Sequence, residues 1–247
     1  MAARLIPPSE MRTLGIIGGT SWHSTVEYYR HINASINALY GNPTNPPLVL
    51  YNLNQAGIHS LQCEGAWDRI ADIYYATALR LQAAGCQGLM LAANTPHKIF
   101  DNLAGRIALP ILHIADAIGK ASAALGTVGL TGTLFTMEHD FISRRLLERY
   151  GVQTLTPVSA TARVRLHDII QRELSLGRFE LESKRFILDE IALLEARGAK
   201  AVVLGCTELP LIIDQKDLAL PVLDSTLLHA QLAVDFILGD GSASGAD

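Results

Sequence analysis

The chain has little cysteine. Cys63, Cys86 and Cys206 are the only three in 247 residues, an odd and sparse count that excludes a disulfide framework and suits a reducing compartment, so the cytoplasm is the expected location. None of them has a second Cys or a His at metal-ligand spacing, and the eight histidines are scattered singly, so no metal site is expected. His113 and Asp116 come nearest to a ligand pair and read as core or capping residues. Charge of one sign is scarce too. Charged residues make up 18% and the net charge is −4, without the basic runs that would mark a nucleic-acid or membrane-surface partner. Long apolar runs are missing, since none approaches the ~18–20 residues that span a bilayer. The opening "MAARLIPPSEM" lacks a basic segment followed by an apolar one, so it reads as a loose N-terminal extension over 1–11 and not as a secretory signal.

What is present is 49% hydrophobic residue, arranged in alternating patterns. Short runs at 13–19 (TLGIIGG), 47–53 (PLVLYNL), 88–94 (GLMLAAN) and 109–115 (LPILHIA) are strand-like, while 24–40 and 67–85 carry apolar residues at helical spacing. Unbroken apolar strands alternating with helices predict a parallel sheet covered on both faces, an α/β fold. The order then repeats. "TVGLTGTLFTM" (127–137) resembles "TLGIIGGTSWHST" (13–25), "AVVLGCTELP" (201–210) resembles "GLMLAANTPH" (88–97), and "LALPVLDSTLLHA" (218–230) resembles "IALPILHIADAIG" (107–119). Positions 15 and 129, 93 and 206, and 110 and 221 lie 114, 113 and 111 residues apart. This is an internal duplication. It predicts two pseudosymmetric α/β domains, 12–116 with 221–247 and 117–220, with a site in the cleft between them at the carboxyl ends of the strands.

Two strand ends carry the chemistry. "GCTE" (205–208) puts Cys206 just before an expected helix start, where a helix N-terminus would lower the thiol's pKa, while Glu208 pulls the other way. "ANTPH" (93–97) offers Asn94 and Thr95 as donors or caps, but has Ala93 at the position matching Cys206. "GIIGGTSW" (15–22) fits neither a dinucleotide fingerprint nor a P-loop. Its backbone N–H groups could cradle a carboxylate with help from Thr20 and Ser24, or it is a tight turn capped by Ser24 or Thr25. Arg165 could clamp a carboxylate or lie on a solvated face. Cys86 reads as core, Cys63 as a helix or loop edge, and Trp22, Tyr28 and Tyr29 as packing.

"LGIIGGTSWHSTVEYYRHIN", "NTPH", "LHIADA", "TMEHDF" and "VVLGCTELP" together resemble the cofactor-independent aspartate/glutamate racemase superfamily, in particular its bacterial aspartate racemase and broad-specificity acidic amino-acid racemase branch. The resemblance runs from about residue 12 to about 238. It implies two pseudosymmetric domains, no pyridoxal phosphate or other cofactor, no metal, commonly a homodimer, and an acidic amino acid as the small-molecule partner. It also implies a two-base mechanism, with one acid/base group on each face of Cα. Asn94, Thr95 and Thr207 match positions that supply hydrogen-bond donors to the substrate, with Thr20 and Thr136 adding to them. Arg165 falls where related racemases carry a basic residue near the distal carboxylate. Cys206 matches the second acid/base residue. Ala93 stands where the first is expected, usually Cys and in one branch Thr, and alanine can neither take nor give a proton. Four accounts follow: a racemase from which the first base has been removed; one in which Thr95, His97 or water supplies the other proton; a single-thiol decarboxylase or isomerase using Cys206; and a non-catalytic binder of acidic amino acids.

Overall fold

β1 (Leu14–Gly18) is buried at every position, which is why its sequence is an unbroken apolar run with no alternation. A computed structural model describes residues 5–41 and 43–239, which form two four-stranded, all-parallel sheets. The chain divides into two compact units, Met1–His113 with His229–Asp247, and Ile114–Leu228.

In the first unit β1 leads through a Gly-rich turn to α1 (Trp22–Tyr40), then β2 (Leu48–Asn52), α2 (Gln55–Cys63), α3 (Trp67–Ala83), β3 (Gly88–Leu91), α4 (Phe100–Ala104) and β4 (Ile111–Leu112). The sheet order is β2-β1-β3-β4. α3 turns Ile70, Ala71, Tyr74, Thr77, Ala78 and Leu81 inward, the 3–4 spacing of a helix with one buried face. All of these but Thr77 pack with Ile17, Leu89 and Leu91 of the sheet.

The second unit holds α5 (Ile114–Ser122), β5 (Thr127–Gly132), α6 (Leu134–Glu138), α7 (Ser143–Tyr150), β6 (Gln153–Leu155), α8 (Ala160–Arg172), α9 (Leu181–Ala196), β7 (Val202–Gly205) and β8 (Val222–Asp224). α10 (Ser225–Ile237) begins in this unit, and from His229 onward belongs to the first. There it closes on β3, since a Cβ placed on Gly88 would lie 2.4 Å from the Phe236 ring. The two faces of the second sheet are both covered. Val128, Leu130 and Val203 pack with α5 and α7, while Val202 and Leu204 pack with α8 and α9.

The second sheet's order, β6-β5-β7-β8, repeats that of the first. The register repeats as well, with Ile17 opposite Leu91 in one sheet and Thr131 opposite Leu204 in the other. Ala93 lies two residues past Leu91 and Cys206 two past Leu204, so the two stand at equivalent strand ends.

Several expectations need correction. The units divide at His113 and Leu228 and not at 116 and 220, because β8 pairs with β7 and stays in the second sheet. The strand expected over 109–115 is only Ile111–Leu112, because α5 starts at Ile114. α2 was not anticipated, yet the Asn54 side chain accepts from Ala56 N–H and caps it. The segment before β1 is tied down where it is described. Met11 is buried, the Tyr40 hydroxyl donates to the Ile6 carbonyl at 2.7 Å and Arg12 N–H to Ile237 at 2.9 Å; residues 1–4 of the extension lie outside the described residues. Of the aromatic trio only Tyr28 packs inside, for Trp22 and Tyr29 face outward. Cys86 is in the core and Cys63 is exposed at the end of α2.

Candidate active site

β3 and β7 both end in a small-residue turn. In the first unit Ala92 N–H still bonds to Ile17 at 2.9 Å, and the chain leaves the sheet at Ala93. Asn94 follows, buried, and Thr95 opens a short 3-10 turn, Thr95–Ile99. The cap position belongs to Asn94 and not to Thr95, because the single turn starts directly at Thr95-Pro96. His97 Nδ1 lies 3.0 Å from the Ala93 carbonyl and 3.2 Å from that of Asn94. Facing two acceptors, this nitrogen carries the proton. The ring is 1% exposed, against His113 and His229. His97 thus holds the backbone of the 93–94 turn from inside the unit, which does not suit it to deliver protons to a substrate.

The adjacent strand, β1, ends at Gly18-Gly19-Thr20-Ser21. Gly19 has φ of +88°, and a Cβ there would fall 2.2 Å from the Leu53 carbonyl oxygen, so the turn requires glycine. Ser21 is the cap of α1, its Oγ accepting from Ser24 N–H, and neither Ser24 nor Thr25 takes that place. Thr25 braces the turn instead, its Oγ1 accepting from Gly19 N–H and donating to Ser21 O, both at 3.0 Å. Thr20 is buried and bonded to the Tyr74 hydroxyl at 2.5 Å.

In the second unit Cys206 leaves β7. Its thiol donates to Glu208 Oε2 at 2.8 Å, and the Thr207 hydroxyl donates to the same oxygen at 2.8 Å. Glu208 is buried while Cys206 and Thr207 are half-buried. The segment that follows is a three-residue 3-10 turn, Leu209–Leu211, not the expected helix. With no helix N-terminus to favour the thiolate, enclosure by protein atoms and then the Glu208 carboxylate push the thiol well above the usual cysteine range, against backbone N–H groups of Glu208 and Thr207. Thr136 reaches this place from α6. It is buried, and its side chain closes on Gly132 and Gly205, whose added Cβ atoms would lie 3.0 and 2.9 Å from it.

Each unit therefore gathers expected residues at adjacent strand ends: Thr20, Ala93, Asn94 and Thr95 in one, Thr136, Cys206 and Thr207 in the other. Arg165 has another partner. Its guanidinium pairs with Glu182 at 2.8 Å and lies over Phe186, lining an open groove of about 410 Å³ with Asp168, Glu173 and Glu180. Asp116 is held by Arg145 through two bonds of 2.7 and 2.8 Å. Among the described residues no group of three His, Cys, Asp or Glu side chains is placed to hold a metal ion, and no helix is long and apolar enough to cross a membrane. One residue escapes the sequence reading, and another has a different part from the one weighed for it. Tyr74 lies 54 positions from Thr20, and nothing local marks the contact. His97, weighed as a proton source, instead holds the 93–94 turn, a part open to inference from its place four residues after Ala93.

A family model for Asp/Glu/hydantoin racemase matches residues 17–233. The chain is 30% identical over 148 residues to the glutamate racemase of Corynebacterium glutamicum, a match covering 58% of this chain and 49% of that one, so it spans about half the length of this curated relative. Among solved structures, a candidate Asp/Glu racemase from Yersinia pestis aligns with a TM-score of 0.87 and 37% identity, covering 92% of this chain and 100% of its own. An aspartate racemase homologue from Pyrococcus horikoshii aligns with a TM-score of 0.80 and 33% identity, covering 92% and 99%. A duplicated pair of parallel sheets, a thiol at one strand end and a family match across most of the chain lead to one conclusion: this chain belongs to the Asp/Glu/hydantoin racemase family.

Proposed function

We propose that the chain binds acidic amino acids, aspartate or glutamate, and moves the α-proton on one face only, through Cys206. The observation that carries this reading is the enclosed Cys206 thiol, hydrogen-bonded at 2.8 Å to the buried Glu208 carboxylate at the end of β7, while the equivalent strand end has Ala93. Cys206 gives up its proton to solvent, the thiolate takes the substrate's α-proton, and an enediolate is left. The thiol then returns a proton to the same carbon. Because the free thiol is pushed upward, the thiolate is a strong base when it forms and the thiol is the resting species. Asn94, Thr95, Thr20 and Thr136 supply amide and hydroxyl donors to the carboxylates, where charge grows as the α-proton leaves, while Thr207, whose hydroxyl proton goes to Glu208, braces the Cys206–Glu208 pair. No cofactor enters this scheme.

With Ala93 at the equivalent strand end of the first unit, exchange without inversion is the expected outcome. The test is α-deuteration of L- and D-aspartate and of L- and D-glutamate in D2O, followed by proton NMR. One enantiomer of a substrate should exchange, and Cys206→Ala should abolish it. Exchange that survives Cys206→Ala, or none from either enantiomer of either acid, would overturn the reading. A resting thiol also suits a single-thiol reaction in which an enediolate, formed by loss of carbon dioxide from a substituted malonate, receives the Cys206 proton. That second reading would gain from Cys206-dependent release of carbon dioxide.

A further inference from the structure

The Gly-rich turn before α1 contains a question of proton counting. Thr20 Oγ1 and the Tyr74 hydroxyl are 2.5 Å apart. Each brings one proton, and only one of the two can lie between the oxygens. Tyr74 has no exposure, and its ring sits among Ile70, Ala78 and Ile17 in the core of the first unit. Thr20 is its hydroxyl's one partner among the described residues. If Thr20 donated, the phenolic proton would be stranded in that core, and an unmade buried donor costs about 1–3 kcal/mol. If Tyr74 donates, only lone pairs go unused. The phenol is also the stronger acid of the two, and burial raises its pKa further, so it keeps its proton throughout the physiological range.

Thr20 is consequently an acceptor toward Tyr74, and its own proton is directed elsewhere. An oxygen that already accepts a hydrogen bond is a better donor in the next. Thr20 stands at the N-terminal end of a 19-residue helix, where the N–H groups of Trp22 and His23 have no partner within the helix. Ser24, in the first turn, is buried, and its Oγ has no partner among the described residues. Its Cβ leans toward the helix N-terminus, as helical Cβ atoms do. A hydroxyl proton, helix N–H groups and an unpartnered buried hydroxyl all belong to the first turn of α1 and the turn that leads into it, and all of them suit an anionic oxygen.

We propose that Tyr74 is a positioning residue: by donating to Thr20 from the core side, it directs the Thr20 hydroxyl proton to a carboxylate of the substrate at the N-terminus of α1. The proposal rests on the reading that Thr20 contacts the substrate, and the experiment separates the two. Calorimetric titration with L-aspartate, and with succinate, which has no α-amino group and cannot racemise, is run on the native chain, Thr20→Ser, Thr20→Val, Tyr74→Phe and the double variant Thr20→Val/Tyr74→Phe. Thr20→Ser binds like the native chain, Thr20→Val about tenfold more weakly for both ligands, and Tyr74→Phe several-fold more weakly. In the Thr20→Val background Tyr74→Phe has no further effect, because Tyr74 acts only through the Thr20 hydroxyl.

A purely structural role for Tyr74 would lower the melting temperature without that dependence on Thr20. If Thr20→Val binds normally, the reading of Thr20 fails and this inference with it. If Thr20→Val weakens binding but Tyr74→Phe does not, or if Tyr74→Phe weakens it equally in both backgrounds, Thr20 remains a binding residue and the role given to Tyr74 is wrong.

Discussion

Replacing Glu208 by glutamine should release the Cys206 thiol. The carboxylate oxygen is 2.8 Å from the sulfur and accepts its proton, so ionising the thiol sets two negative charges side by side. Even at the dielectric of water that repulsion is about 1.5 kcal/mol, or about one pKa unit, and it grows as the site becomes less polar. The Glu208→Gln substitution removes the charge and presents an amide that can donate to a thiolate. At pH 7–8, below the raised pKa, one unit of lowering gives about tenfold more thiolate. Reactivity toward a small aromatic disulfide rises less, by about three- to fourfold, because a less basic thiolate is a weaker nucleophile. The assay follows that reaction against pH in a Cys63→Ser background, since Cys63 is exposed and would react first. The pH–rate profile of Glu208→Gln should shift to lower pH. An unchanged or alkaline-shifted profile would refute the argument that Glu208 holds the proton on sulfur. Stability has a matching sign. The folded thiol titrates above the unfolded one, so stability at neutral pH is lost as pH rises past about 8.5 toward the folded pKa. Cys206→Ala should flatten that loss in denaturant titrations at pH 8 to 10.

Two further substitutions probe the second unit. Asp116→Asn leaves Arg145, whose side chain is 17% exposed, facing a neutral partner where it now has a bidentate carboxylate at 8% exposure. A loss of about 3–5 kcal/mol in urea unfolding is expected, as for other broken buried pairs, and a loss under 1 kcal/mol would show the pair to be solvated. Arg165→Gln should change succinate affinity less than twofold, since its guanidinium is 48% exposed and bound to Glu182. A tenfold loss would return Arg165 to the substrate.

The duplication was legible because it is written in small residues at strand ends. Gly18, Ala92 and Gly205 stand where the chain must leave the sheet closely packed, and a near-constant spacing between the two halves survives when most side chains have diverged. The strands themselves were legible as unbroken apolar runs, since each central strand is covered on both faces. What the reading missed depends on contacts distant in the chain. Whether Tyr74 meets Thr20, or α10 closes on Gly88, follows from tertiary packing and not from local pattern. The edge elements were misjudged for a related reason. β4 has two residues and β8 three, too short for periodicity to separate strand from the following helix. The thiol was judged from a helix expected after β7. Leu209-Pro210-Leu211 instead forms a single 3-10 turn, so burial and Glu208 set its proton affinity.

The proposed one-sided chemistry depends on Cys206 acting as an acid/base group at one strand end while Ala93, at the equivalent end, cannot. The most direct measurement is racemisation of L- and D-aspartate and glutamate, followed by circular dichroism, for the native chain beside Ala93→Cys and Ala93→Thr. Negligible racemisation is expected from the native chain. At least one substitution should produce racemisation of both enantiomers, with a gain of about 10²–10⁴-fold, the usual contribution of one general acid/base group. Fast and equal racemisation of both enantiomers by the native chain would contradict the one-sided chemistry.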